Sequence, residues 1–501
     1  MRSRATVLRA VVAFCLLAAA PDDPDRKTVP PLSGPQIEDR IANLVSRPAA
    51  LANVRELVGY GPRMGGTPSG DRAAAALADR MKSLGLDVEV IEDPPTSVHE
   101  ESAWGVRMGD HVLSSAWPYG FSPSLPLTTA RLVLEGDEGV PEAGAPLKGA
   151  VVLTARPARE VHARAGAAGA IALLTDAPGD PNRYQDWAPI GSLQRMQEGG
   201  KPIPVFGLSY RDGRLLRDAL EQAGTAAAPS PSITISLDAS IHEGRPRTVV
   251  GTLAGAGAAA GRLMIVCAHG DSDSGGPGAD DNASGVATLL EVARALRGAL
   301  GSGWLPADRP TVKFIVWGSE YHSTRAWVAS RSEEMGRLDV VINFDETGAG
   351  AERDAVYYEG NDIAWNERLL RTIEAVADDH AEQDGFPRAY TSNPAMGGTD
   401  AYVFLPRQHE GLGLTDRKIA STTVFTAAWD RPTLRAQTPG WASKGWREKG
   451  DLFIDYSAYY HSSGDTPANT TEMEPDNMVR CARLVALAIY RLMGAGTGAG
   501  G

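Results

Sequence analysis

The hydrophobic pattern divides the chain into three stretches. From Gln36 to about Leu84 apolar residues recur at helical spacing, interrupted by the turn-prone GYGPRMGGTPSG at Gly59–Gly70. The strand-like LDVEVI, Leu86–Ile91, follows. Between about Ser124 and Ser232 the pattern changes. Short β-type runs, ARLVLE and GAVVLTA, flank the alanine- and glycine-rich ARAGAAGAIALLTD at Ala163–Asp176, which is expected to be a helix. IPVFGLS (Ile203–Ser209) and the amphipathic DGRLLRDALEQAG follow. The low-complexity TAAAPSPS at Thr225–Ser232 closes the unit in the manner of a linker. From Thr248 onward strand, loop, helix and strand alternate, the pattern of an α/β core. LMIVCAH is a strand, and Val286, Leu289, Leu290 and Ala293 mark one face of a helix. TVKFIVW (Thr311–Trp317) and DVVINFD (Asp339–Asp345) are strands of buried type, and a last helix carries Met478–Met493.

Size turns this pattern into a domain expectation. At 501 residues two or three domains are expected. Residues 1–20 read as a secretory signal: Arg2, Arg4 and Arg9 precede a short apolar run, Ala10–Leu17, and the small residues Ala18–Ala20. That run is too short to span a bilayer. Residues 21–123 and 233–494 are expected to form two parts of one core, 124–232 an inserted unit, and 495–501 a flexible tail. A secreted or periplasmic location follows, with no membrane insertion once the signal is removed. The net charge of −13 argues against nucleic acid and anionic membrane surfaces as partners. Without the signal only Cys267 and Cys481 remain, so no disulfide framework holds the chain; whether these two bridge stays open, as does the oligomeric state.

The candidate chemistry lies at strand ends. His269 ends LMIVCAH and Asp281 stands twelve residues later, beyond the glycine-rich GDSDSGGPGA. Glu320 follows TVKFIVW in WGSEYH, Asp345 ends DVVINFD, and His461 sits in YYHSSGDTPAN. Imidazoles and carboxylates without thiolate suit catalytic zinc, and also manganese or cobalt. The Asp281 carboxylate has one oxygen for each of two ions. Asp271, two residues beyond His269, is placed to orient its ring. Alone, each residue has a plainer reading: a core histidine, a helix cap, a surface charge.

Together these segments resemble the M28 family of zinc aminopeptidases and carboxypeptidases. The likeness runs from about Val54 to Met493, through HGD, GADDNASG, WGxE, NFD and YHSSGDTP. Residues 124–232 look like a protease-associated (PA) domain, through LKGAVVL, AGAAGAIALL and IPVFGLSYRDGRLL. The resemblance implies a three-layer, mixed-sheet zinc-exopeptidase core with an inserted, mainly-β PA domain. It implies zinc held by His269, Asp281, Asp345 and His461, with Asp281 shared between two ions. Glu320 would be the general base, and Tyr460 would stabilise the oxyanion. The implied activity is hydrolysis of terminal peptide bonds in peptide substrates. Aminopeptidase action comes first, with carboxypeptidase or dipeptidase action next.

One departure matters. The family carries two adjacent glutamates after this strand, a base and then a ligand, whereas here the pair is Glu320–Tyr321. Either Glu320 keeps the base role and the second ligand is lost, or Glu320 takes the ligand position and Ser319 stands where the base should be. The number of zinc ions, one or two, therefore stays open, and His322 is a candidate replacement ligand. Two alternatives follow: a catalytically impaired relative that binds peptides or proteins, and a one-metal enzyme of the glutaminyl cyclase kind. Asp400 in GGTDAYVF reads as a helix cap or a pocket residue. The aromatic-rich Thr422–Trp446 reads as a pocket wall or a packed loop, and Arg407, Arg417 and Arg431 as solvated surface.

Overall fold

The computed structural model describes residues 32–135, 147–177, 184–196, 202–225, 231–350, 355–359, 365–393, 399–407, 413–426, 428–429, 442–444, 454–455 and 459–494. The expected signal and tail, with Arg431, Trp441 and Trp446, lie outside these residues.

A nine-stranded mixed sheet forms the core. Its order is Asp87–Glu92, Arg247–Leu253, Thr311–Trp317, Leu263–His269, Leu338–Phe344, Ala420–Phe425, Ala355–Glu359, Ala389–Asn393, Ala442–Lys444. The four strands from Thr311–Trp317 to Ala420–Phe425 run parallel to one another. Both faces are covered, which is why these strands read as unbroken apolar runs. Met264, Val266 and Ala268 point into one cluster with the helices Gly285–Gly301 and Asn477–Gly494. Leu263, Ile265 and Cys267 point into the other with Trp317, Trp327 and Phe404. The result is a three-layer α/β arrangement. Cys267 and Cys481 are both buried and unbridged.

Register places the chemistry. Cα partners in the parallel pairs set His269 beside Trp317, and Cys267 beside Asn343. The carboxyl ends of three neighbouring strands therefore lie together, and the loops leaving them carry His269–Asp281, Glu320 and Asp345. Crevices beyond the carboxyl ends of parallel strands are the usual binding place in open α/β sheets.

A second, eight-stranded sheet contains strands from Thr96–Met108 to Ser232–Gly244. It therefore draws on chain on both sides of 124–232. Its two longest strands pair antiparallel over most of their length, Thr96 with Gly244 at one end and Met108 with Ile233 at the other. The segment Ala163–Asp176, expected as one helix, is a helix end followed by a strand. The helix Ala158–Ala167 stops before Gly169, whose φ of +84° breaks the spiral, and Ala172–Thr175 is a fully buried strand between two parallel neighbours. Alanine content favoured helix there; burial between strands decided otherwise. The amphipathic stretch Asp212–Gly224 lies within the helix Tyr210–Thr225.

Candidate metal centre

His269 is the last residue of its strand and is 3% exposed. Its Nδ1 lies 3.2 Å from Asp271 Oδ1 and 3.1 Å from the Asp271 carbonyl, both acceptors, so the ring proton belongs on Nδ1. Nε2 then faces Asp281 Oδ1 at 3.3 Å and Asp345 Oδ1 at 3.4 Å. The other oxygen of Asp281, Oδ2, lies 3.2 Å from His461 Nε2. Asp281 thus stands between two imidazoles with one oxygen toward each.

The donor atoms suit a cation. Asp345 Oδ1 is buried and accepts no hydrogen bond from the described residues, while Oδ2 receives the Thr399 hydroxyl at 2.6 Å. Ligand atoms of His269, Glu320 and Asp345 all lie within 4.8 Å of one another. Lone pairs converging from one nitrogen and several carboxylate oxygens repel unless a positive charge stands among them. Burial opposes protonation of His269, but Asp345, Asp271 and Asp281 outweigh it and raise its pKa well above the ordinary value. A proton on Nε2 is what these carboxylates would hold where no metal ion is bound. The residues present therefore fit a divalent cation.

Glu320 is half-buried at the turn before the helix His322–Ser330. Its backbone N–H donates to Asp271 Oδ1 at 3.0 Å. Burial pushes its carboxyl well above the ordinary range; His269 opposes this, and Asp400, Asp345 and Asp281 add to it. Tyr321 has a φ of +55°, and its N–H donates to Asp400 Oδ1 at 2.9 Å. Its ring lies 5.6 Å from the Arg325 guanidinium. His322 Nε2 meets the Pro94 carbonyl at 2.8 Å, so that nitrogen is engaged away from the centre. Tyr460 stacks on His461, with ring centroids 3.6 Å apart.

Further residues around the centre hold its parts in place. Asp465, within HSSGDTP, accepts the N–H groups of Asp280 and Asp281 at 2.8 and 3.0 Å, which pins the backbone of the shared carboxylate. Burial lifts its pKa to about 7. Arg63, 1% exposed, donates to the carbonyls of Gly270, Pro277 and Gly278, spanning the glycine-rich loop. Gly278 has a φ of +61°, and a Cβ there would stand 2.5 Å from the Asp281 carbonyl oxygen. Asp400 is fully buried and receives the Thr324 hydroxyl as well as Tyr321 N–H, so it holds the Glu320–Tyr321 turn. Burial raises its pKa to about 6. Its place after a glycine pair and a threonine is the one signal the sequence offered. Arg407 is exposed and lies 3.5 Å from Asp416.

Comparison with known proteins finds peptidases. Residues 248–489 match the model of Peptidase family M28. Leucine aminopeptidase 2 of Arthroderma otae is 25% identical over 411 residues, covering 78% of this chain and 72% of that protein. Aminopeptidase YwaD of Bacillus subtilis is 28% identical over 313 residues, or 60% of this chain and 61% of that one. A solved zinc aminopeptidase from Bacillus subtilis shares the fold, with a TM-score of 0.60 at 21% identity, over 90% of this chain and 95% of that one. The α/β core, the converging donors and the matched family model define the chain as a metallo-exopeptidase.

Proposed function

We propose that the chain is a zinc aminopeptidase that removes single residues from the amino ends of peptides, acting in a secreted or periplasmic setting. The observation that carries this reading is the convergence of His269 Nε2, Asp281 Oδ1 and Asp345 Oδ1, with Asp281 Oδ2 turned to His461. His269, Asp281 and Asp345 would hold one zinc ion tightly. His461 and the second oxygen of Asp281 would hold a second ion weakly, because Tyr321 replaces the carboxylate that the family resemblance implies there. Bound zinc supplies the positive charge that lowers the pKa of water and stabilises an oxyanion.

The residues do the rest. Glu320 takes the proton of the attacking water as its oxygen bonds to the carbonyl carbon. It returns that proton to the amine as the carbon–nitrogen bond breaks, leaving a free amino acid and a shortened peptide. Asp271 holds the His269 tautomer, and Tyr460 donates its hydroxyl to the developing oxyanion. Residues 124–232 form the centre of a PA-like unit that lies over the cleft and restricts it to chain ends.

The test is zinc content together with hydrolysis of leucine p-nitroanilide by wild type and Glu320→Gln. The expected result is bound zinc and a loss of roughly 10²–10⁴-fold in kcat for the variant, the range of general-base catalysis. Turnover that survives the substitution would remove Glu320 from the base role. Bound zinc without turnover in the wild type would favour the partner-binding alternative, which Tyr321 motivates.

A further inference from the structure

The loop Trp187–Ile190 falls within the stretch that builds the second sheet, yet its backbone pairs with the segment carrying His461. Ile190 N–H donates to the His461 carbonyl at 2.7 Å, and Ser463 N–H donates to the Ala188 carbonyl at 2.9 Å. Between them Pro189 and Ser462 form an antiparallel bridge. Ala188 N–H in turn donates to Ser463 Oγ at 3.0 Å. The Trp187 ring covers Gly464 so closely that a Cβ there would lie 2.5 Å from Trp187 Cγ.

His461 needs this support. Its φ is +48°, a conformation that residues with side chains adopt reluctantly and keep only when their surroundings impose it. Its carbonyl and the next two residues are the groups that Trp187–Ile190 engages. The ring that this backbone aims meets Asp281 Oδ2 at 3.2 Å. The other end of the centre has its own supports within the core, Asp271 on His269 and Thr399 on Asp345.

We propose that the Trp187–Ile190 loop is a positioning element for His461 and thereby sets how tightly the second, weakly held ion binds. This rests on the zinc reading above and goes beyond it. The unit that covers the cleft also governs the occupancy of one end of the metal centre. Among the described residues that ion would have one imidazole and one carboxylate oxygen, with little to absorb a shift of His461, so a change in the loop would act on it selectively.

The experiment is zinc titration of the full chain by equilibrium dialysis against a competing chelator, for wild type, Trp187→Ala, Trp187→Phe and Ser463→Ala. Thermal unfolding of the metal-free proteins reports whether each variant is folded. Trp187→Ala is expected to weaken the second ion about tenfold, the lower end of what outer ligand supports contribute. Ser463→Ala should weaken it less, Trp187→Phe should stay near wild type, and the tightly held ion should be unchanged throughout. Wild-type constants for the second ion in folded Trp187→Ala and Ser463→Ala would overturn the proposal. So would equal weakening of both ions, which marks general loosening. If Trp187→Ala does not fold, Ser463→Ala, which loses one hydroxyl, decides alone. A wild type that binds a single ion also overturns it, because no second ion is then set by the loop. Only a wild type that takes up no zinc sinks the zinc reading as well.

Discussion

The carboxylate of Asp271 accepts the backbone N–H of Glu320 at 3.0 Å, through the same Oδ1 that lies 3.2 Å from His269 Nδ1. One acidic side chain therefore ties a candidate ligand to the candidate base. Asp271→Ala should lower both zinc affinity and kcat/KM on leucine p-nitroanilide by about 10–100-fold, the cost of losing a partner that orients a ligand. Asp271→Asn should cost less, since its amide oxygen can still accept one of the two N–H groups. Wild-type zinc affinity and turnover in Asp271→Ala would remove Asp271 from the centre.

Tyr321 sits among acids. Burial raises its hydroxyl pKa, and Glu320, Asp400 and Asp345 raise it further, so the phenol stays protonated and a poor ligand. A carboxylate at this position would offer one more anionic oxygen to an ion at the centre. Tyr321→Glu is expected to tighten the second zinc ion by about tenfold, equivalent to about 1.4 kcal/mol. The zinc-to-protein ratio after dialysis reads this directly. A ratio unchanged from wild type would mean that position 321 cannot reach the ion.

The candidate centre was legible because its side chains cluster at strand ends in short segments, where residue type and neighbours suffice. His269, Glu320 and Asp345 follow strands whose apolar runs are unambiguous, and parallel register then brings them together. What supports the centre was not legible. Arg63 is a lone cation in a turn-prone segment, and nothing local says that its guanidinium spans a loop more than two hundred residues away. Asp465 was given no role, because the N–H groups its carboxylate accepts lie on another loop. The reach of the second sheet was missed for a related reason. Thr96–Met108 and Ser232–Gly244 are half-exposed strands with mixed polarity, and only their mutual pairing reveals them. The helix expected over Ala163–Asp176 failed where tertiary burial overrode alanine's local preference.

Arg63 is the basis of a stability prediction. Burial lowers its pKa to about 10, and Asp465, Asp271 and Asp281 resist that fall, so the guanidinium remains charged at neutral pH. Arg63→Met would keep most of the packing volume but leave the carbonyls of Gly270, Pro277 and Gly278 without this donor. The expected loss is roughly 3 kcal/mol in chemical denaturation, as for other buried groups that lose a charged partner. The glycine-rich loop should also become easier to cleave by protease. A variant as stable as wild type would show that water replaces the guanidinium at no cost.

A second cluster, remote from the metal centre, gives a pH prediction. Glu38, in the helix Gly34–Ala42, receives Arg491 Nε and a guanidinium N–H of the same residue, each at 2.8 Å, and lies 3.1 Å from His380 Nε2. It joins the first and last helices of the core. Burial alone would raise the Glu38 pKa, but Arg491 and His380 overcome it and bring it to about 2 from an ordinary 4.5. A depressed carboxylate stabilises the fold above its unfolded pKa and loses that contribution as pH falls toward its folded one. Its stabilisation is therefore full above about pH 5 and fades toward pH 2, with an upper bound of about 3 kcal/mol. The hydrogen bond that His380 donates to Glu38 raises the histidine above its ordinary value of 6.5. The histidine's share is therefore full below that value and disappears as pH climbs through the raised pKa. The melting-temperature gap between wild type and Glu38→Gln should be widest near pH 5–6, narrower by about pH 8 and nearly closed by about pH 2. A gap that stays constant over this range would show that the helices are held together by packing alone.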